Sequence, residues 1–192
     1  MRLVYKGKFD GDPGSIPHGE HIPGAVKFRE PGDPKKMSLI ANLLALSLTA
    51  LFVCLLVLRY GFSAVFAPMS CLGAALPILT LLPHELLHAL CFRDTVYLYT
   101  YLSKGAAFVT GPETMSRGRF VFMSLLPNLV FGFLPLAAGF LSPKLITAGV
   151  FGAVAAGMGA GDYFNVFNAL AQMPKGARTY LYGFNSYWYR PE

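Results

Sequence analysis

His84-Glu85-Leu86-Leu87-His88 is the segment of the chain best equipped for chemistry. In a helix, positions i and i+4 lie on one face. The two imidazoles can therefore bind one metal ion, and the glutamate beside the first can reach a coordinated water as general base. The motif lies in an apolar run, where ionisable groups are costly and by default mark function. Well inside the apolar segments, the titratable acids and bases are His84, Glu85, His88 and Asp162. A catalytic zinc takes three protein ligands and keeps one open position. Asp162, in Ala160-Gly161-Asp162-Tyr163, is the expected third ligand. Cys91 is the rival, seven residues after His84, but one straight helix cannot easily surround a tetrahedral ion. His18 and His21 lie on a polar segment and read as parts of a solvated loop. Asn128 and Asn165 are supporting candidates, able to polarise a substrate carbonyl or to hold the aspartate.

The elements that carry these residues must be membrane helices. Of 192 residues, 54% are hydrophobic and 14% charged, with mean hydropathy +0.48. Soluble domains carry about 25% charged residues. Residues 38–58 form an uncharged run long enough to span a bilayer. Further apolar segments cover about 63–92, with Pro68, Pro77 and Pro83, about 120–140, with Pro127 and Pro135, and about 145–170. The expected fold is an all-α polytopic membrane protein with about four transmembrane helices. Residues 1–37 form a polar, non-helical arm, residues 38–172 the membrane domain with the metal site, and residues 173–192 a tail.

The net charge of +6 comes from basic residues that flank the apolar segments, which argues against nucleic acid as partner. Arg2, Lys6, Lys8, Lys27, Arg29, Lys35 and Lys36 lie in the arm. Arg93, Lys104, Arg117 and Arg119 lie between the second and third segments, and Lys175, Arg178 and Arg190 in the tail. The other two connections hold only Arg59 and Lys144. The positive-inside rule then puts the three basic regions, with both termini, in the cytoplasm.

His84 falls about 21 residues into its span and Asp162 about 17 into its own. At 1.5 Å per residue the two lie roughly 31 and 26 Å down, at a similar level towards the cytoplasmic face. Gly149, Ala153, Gly157 and Gly161 form a small-residue stripe that lets helix backbones approach closely. Residues 96–109, Val-Tyr-Leu-Tyr-Thr-Tyr-Leu, Ser-Lys-Gly and Ala-Ala-Phe-Val, predict a small β-hairpin between the second and third helices. Cys54, Cys71 and Cys91 form no C-x-x-C and predict no disulfide framework.

The H-E-x-x-H in a membrane helix with a later Gly-Asp resembles the site-2-protease-like intramembrane metalloproteases. The chain is still more similar to a bacterial family of small polytopic proteins classed as zincin membrane peptidases. That resemblance spans Ala25-Val26-Lys27-Phe28-Arg29-Glu30, His84 to Leu90, Leu125-Leu126-Pro127, and Gly161-Asp162 through Met173-Pro174-Lys175. The site-2 proteases set their aspartate before a glycine, whereas here Gly161 precedes Asp162 and Tyr163 follows it. The resemblance implies a multi-pass protein of a bacterial plasma membrane and a hairpin that binds extended substrate. Motif and resemblance together predict a zinc-dependent intramembrane metallopeptidase. One Zn2+ per chain is held by His84, His88 and Asp162, and the zinc-bound water is activated by Glu85. Its partners would be the lipid bilayer and a peptide or membrane-protein substrate. The alternative is a membrane protein that binds a metal or a partner helix without catalysis. A transporter is disfavoured by the small number of spans and the lack of an inverted repeat.

Overall fold

A computed structural model describes the chain except for Gly32, residues 102–104, Phe184, Glu192 and the side chain of Pro34. The chain divides into two compact units. One comprises Met1–Glu30, Leu81–Ser124 and Asn165–Glu192, and the other Pro31–Thr80 and Leu125–Phe164.

The first unit corrects the all-α expectation, because it contains two β-sheets. Strand β1 (Arg2–Lys8) pairs in parallel with β3 (Thr95–Tyr101), which pairs antiparallel with β4 (Ala106–Thr110), in the order β1-β3-β4. The predicted hairpin is thus present, with Tyr101 opposite Ala106. Its turn at Ser103 and Lys104 lies outside the described residues. The second sheet has the order β2-β7-β6-β5, from Val26–Lys27 (β2), Met115–Ser116 (β5), Arg178–Tyr182 (β6) and Asn185–Tyr189 (β7). The arm and the tail, read above as appendages, therefore supply strands. Their backbone groups find partners in ladders that join distant parts of the chain, which local periodicity cannot register.

Helix α4 (Leu81–Leu90), the first two turns of α5 (Arg117–Pro127) and the latter part of α8 (Ala160–Gln172) complete this unit. Phe28, Ala89, Phe92, Val96, Phe120 and Ala169 are among its buried core residues. His18 and His21 have exposed surface, but their rings lie on tyrosines. His18 is 4.2 Å from the Tyr182 ring, and His21 Nδ1 is 3.0 Å from the Tyr180 hydroxyl.

The second unit is helical: α1 (Pro34–Tyr60), α2 (Phe62–Val65), α3 (Pro68–Ala75), the end of α5, α6 (Leu134–Leu141), α7 (Ile146–Met158) and the first turn of α8. Asp33 caps α1 by accepting the Lys35 N–H at 2.9 Å. Gly61, at φ +84°, ends the helix and returns its N–H to Val57. Leu56, Val65, Leu136, Val150 and Ala153 form the core. Leu46 and Leu58 on α1 are 68% and 82% exposed. Such a face has no place in water and suits lipid.

The small-residue stripe, which runs along α7 and ends on α8, works as a contact surface only in part. A Cβ at Gly149 would lie 2.9 Å from the Gly139 Cα, and one at Gly157 would lie 2.8 Å from the Ala45 carbonyl. A Cβ at Gly161 would meet nothing within 4 Å among the described residues.

Among the described residues, Lys35–Tyr60, Pro68–Leu90 and Arg117–Leu141 are helical stretches long and apolar enough to cross a membrane. The expected fourth span is broken. Pro143–Met158 and Ala160–Gln172 meet at a bend of 54° and count as one span only if taken together. Within the third, a π-helical stretch, Asn128–Phe133, follows Pro127. Proline has no N–H to continue the i to i−4 ladder, which is the local cause of such an irregularity.

Candidate metal centre

Helix α4 sets the two motif histidines one turn apart, with ring centroids 4.8 Å apart and planes at 76°. Ligand atoms of His84, Glu85 and His88 all lie within 4.8 Å of one another. His88 is buried at 7% exposure, while His84 and Glu85 are partly exposed.

The chemical state of His88 follows from its neighbour on α5. Its Nδ1 lies 2.9 Å from the Met123 carbonyl oxygen, which can only accept. Nδ1 therefore carries the proton, and the lone pair remains on Nε2, as metal ligation requires. The same helix explains why this carbonyl is available. The residue four positions beyond Met123 is Pro127, which has no N–H to give it.

Glu85 is held from the hairpin. Its Oε2 accepts the Val109 backbone N–H at 3.0 Å. In the sheet order β4 is an edge strand, so a main-chain donor on its outer side can turn to a carboxylate. Cys91 does not join the group of ligand atoms. Its thiol lies 3.7 Å from the Leu87 carbonyl, one turn back on its own chain.

Asp162 belongs to the other unit, in the first turn of α8. Its Oδ2 accepts from Asn128 Nδ2 at 2.8 Å, and Asn128 is 1% exposed. This contact depends on Gly159, where a Cβ would collide with Asn128 Oδ1. Of the two supporting asparagines, Asn128 thus holds the aspartate. Asn165 makes no such bond among the described residues.

Two imidazoles at i and i+4, one with its tautomer fixed, beside a carboxylate form a donor set that fits zinc. The profile of a family described as "Putative zincin peptidase" matches residues 77–178, just over half of the 192-residue chain. The chain belongs to this zincin family. Neither a curated protein nor a solved structure matches it. Membership of the zincin family implies zinc as the metal, and the matched stretch contains His84, Glu85, His88, Asn128 and Asp162.

Sequence reasoning missed two residues that hold this group, Met123 and Val109. Both act through the backbone, which no residue type announces. Pro127 was the available signal for Met123, since a proline inside a helix always strips the carbonyl four residues before it of its usual donor.

Proposed function

We propose that the protein is a zinc-dependent intramembrane metallopeptidase, similar in its chemistry to the site-2-protease-like enzymes, in a bacterial plasma membrane. His84 and His88 hold the metal, one ion per chain, with Asp162 as third ligand. The bound ion would lower the pKa of a water towards neutrality and polarise the scissile carbonyl. Glu85 takes a proton from the attacking water on its carboxylate and delivers it to the leaving amine as the C–N bond breaks. The Val109 N–H orients that carboxylate, and Asn128 orients Asp162. An extended segment of a membrane-associated substrate adds to the outer edge of β4 through main-chain hydrogen bonds. Water reaches the site from the cytoplasmic face, and both termini lie on that side.

The observation that carries this reading is the His88–Met123 bond, which presents an Nε2 lone pair beside His84 and Glu85. Metal content of detergent-purified protein tests it. Wild type should hold about one zinc per chain. His88→Ala should lose it, Asp162→Asn should bind it more weakly, and Cys91→Ser should leave it unchanged. Glu85→Gln should keep the zinc and lose cleavage of a membrane-anchored reporter peptide. A folded wild type without any transition metal would overturn the proposal. Zinc without Glu85-dependent cleavage would favour the non-catalytic metal-binding alternative.

A further inference from the structure

The buried carboxylate of Glu113 has no part in the chemistry above, yet it joins the two elements on which the state of His88 depends. Glu113 lies between β4 and β5 with its side chain 7% exposed. Its Oε2 accepts the backbone N–H of Arg93 at 2.7 Å and of Asp94 at 3.2 Å. These two residues follow the end of the metal-binding helix α4. Its Oε1 pairs with the guanidinium of Arg119, in the first turn of α5. Glu113 is itself anchored through its neighbour, because Arg178 of β6 bonds Thr114 from Nε to Oγ1 and from a terminal nitrogen to the carbonyl, each at 3.0 Å.

Arg119 and Met123 are four residues apart and therefore share a face of α5. The ion pair grips the helix one turn before the carbonyl that must meet His88 Nδ1. Ala89, Phe92 and Phe120 pack these elements together in one apolar core with Met123 against it, and the ion pair adds a directional polar tie beside a small cleft that Glu113 and Met123 also line. Burying two opposite charges carries a desolvation penalty that favours the fold only with good geometry and further hydrogen bonds. Here both carboxylate oxygens are engaged, and the result is a fixed position for α5 relative to the end of α4.

We infer that Glu113 is a positioning residue for His88: through Arg119 it holds α5 so that the Met123 carbonyl keeps the His88 proton on Nδ1 and the Nε2 lone pair on the metal side. This inference rests on the reading of His88 as a metal ligand. Glu113→Gln keeps an oxygen for the two backbone N–H groups and removes the ion pair. Two readouts apply to the full chain in detergent. One is the His88 tautomer of the metal-free protein, from 15N NMR of histidine-labelled samples. The other is the affinity for Co2+ alone, from its visible absorption bands.

In Glu113→Gln the Nδ1–H tautomer should lose its dominance and the Co2+ Kd should rise about tenfold, the low end of what removing an outer partner of a ligand costs. Arg119→Lys, which retains the charge pair, should be intermediate, and it carries the test if Glu113→Gln does not fold. Tyr180→Phe, which removes only the hydroxyl that bonds Ile22 N–H and His21 in the arm, should lower Tm and move neither readout. A Glu113→Gln or Arg119→Lys protein with the wild-type tautomer and Kd would overturn the inference. A wild type that binds no Co2+, with the tautomer still shifting in Glu113→Gln, would overturn the peptidase reading and leave the role of Glu113 standing.

Discussion

Pro127 penalises its own helix and serves His88. A helix-interior proline costs about 3 kcal/mol or more. Pro127→Ala should therefore raise the thermal stability of the metal-free protein. It should also restore an N–H that competes for the Met123 carbonyl, weakening zinc about tenfold by chelator competition. Stability and affinity moving in opposite directions is the outcome that checks this role. Gly159 and Gly161 make a second pair, two residues apart with opposite expectations. Gly159→Ala would drive a methyl into Asn128 Oδ1 and should cost about 1–3 kcal/mol, read as a lower Tm in detergent. Gly161→Ala meets open space among the described residues and should be neutral or stabilising by up to about 1 kcal/mol in the same melt. The motif histidines and Glu85 were legible in the sequence because their spacing is their chemistry. The aspartate's partner Asn128 was legible as a buried amide. The need for glycine at 159 was not, since it arises only when another segment packs there.

The hairpin of β3 and β4 was legible because both strands and their glycine-containing turn are adjacent in sequence. The strands of the arm and tail were not. Leu3-Val4-Tyr5 is a short β-prone run, yet the partner of its strand begins at Thr95. The tail is dense in aromatic residues from Tyr180 to Tyr189, a strand signal outweighed by its charge and position. The arm also carries a pH response. Glu30 is half-buried at its end, and burial raises its carboxyl above the ordinary 4.5, against the opposing effects of the Ser186 hydrogen bond and Lys27. The folded state then holds its proton to higher pH than the unfolded state. Stability should fall as pH rises from about 4.5 through the raised value, and be flat above it. Glu30→Gln should remove that fall, as a series of thermal melts between pH 4 and pH 8 would show.

The orientation proposed for the whole chain makes its own prediction. In a protein with Cys54, Cys71 and Cys91 replaced by serine, Lys144→Cys should react with a membrane-impermeant maleimide in intact cells. Lys175→Cys should react only after lysis. Reversed labelling would refute the positive-inside assignment. Both lysines are exposed, so accessibility to the reagent reports sidedness. Composition made the long apolar helices readable, whereas the division into two compact units was not, because each unit gathers separate stretches of the chain. That gathering has a consequence in time. Val26 pairs with Trp188, and Arg2 with Thr95. At ribosomal speeds of about 5–20 residues per second, β1 waits roughly 5–20 s for its partner and β2 roughly 8–30 s. On the proposed membrane reading, the apolar helices are already entering the bilayer during that interval, while the arm is a nascent segment with open edges. On the same reading, α4 reaches the membrane before the second sheet can close, and assembly of the proposed centre is a late, post-insertion event.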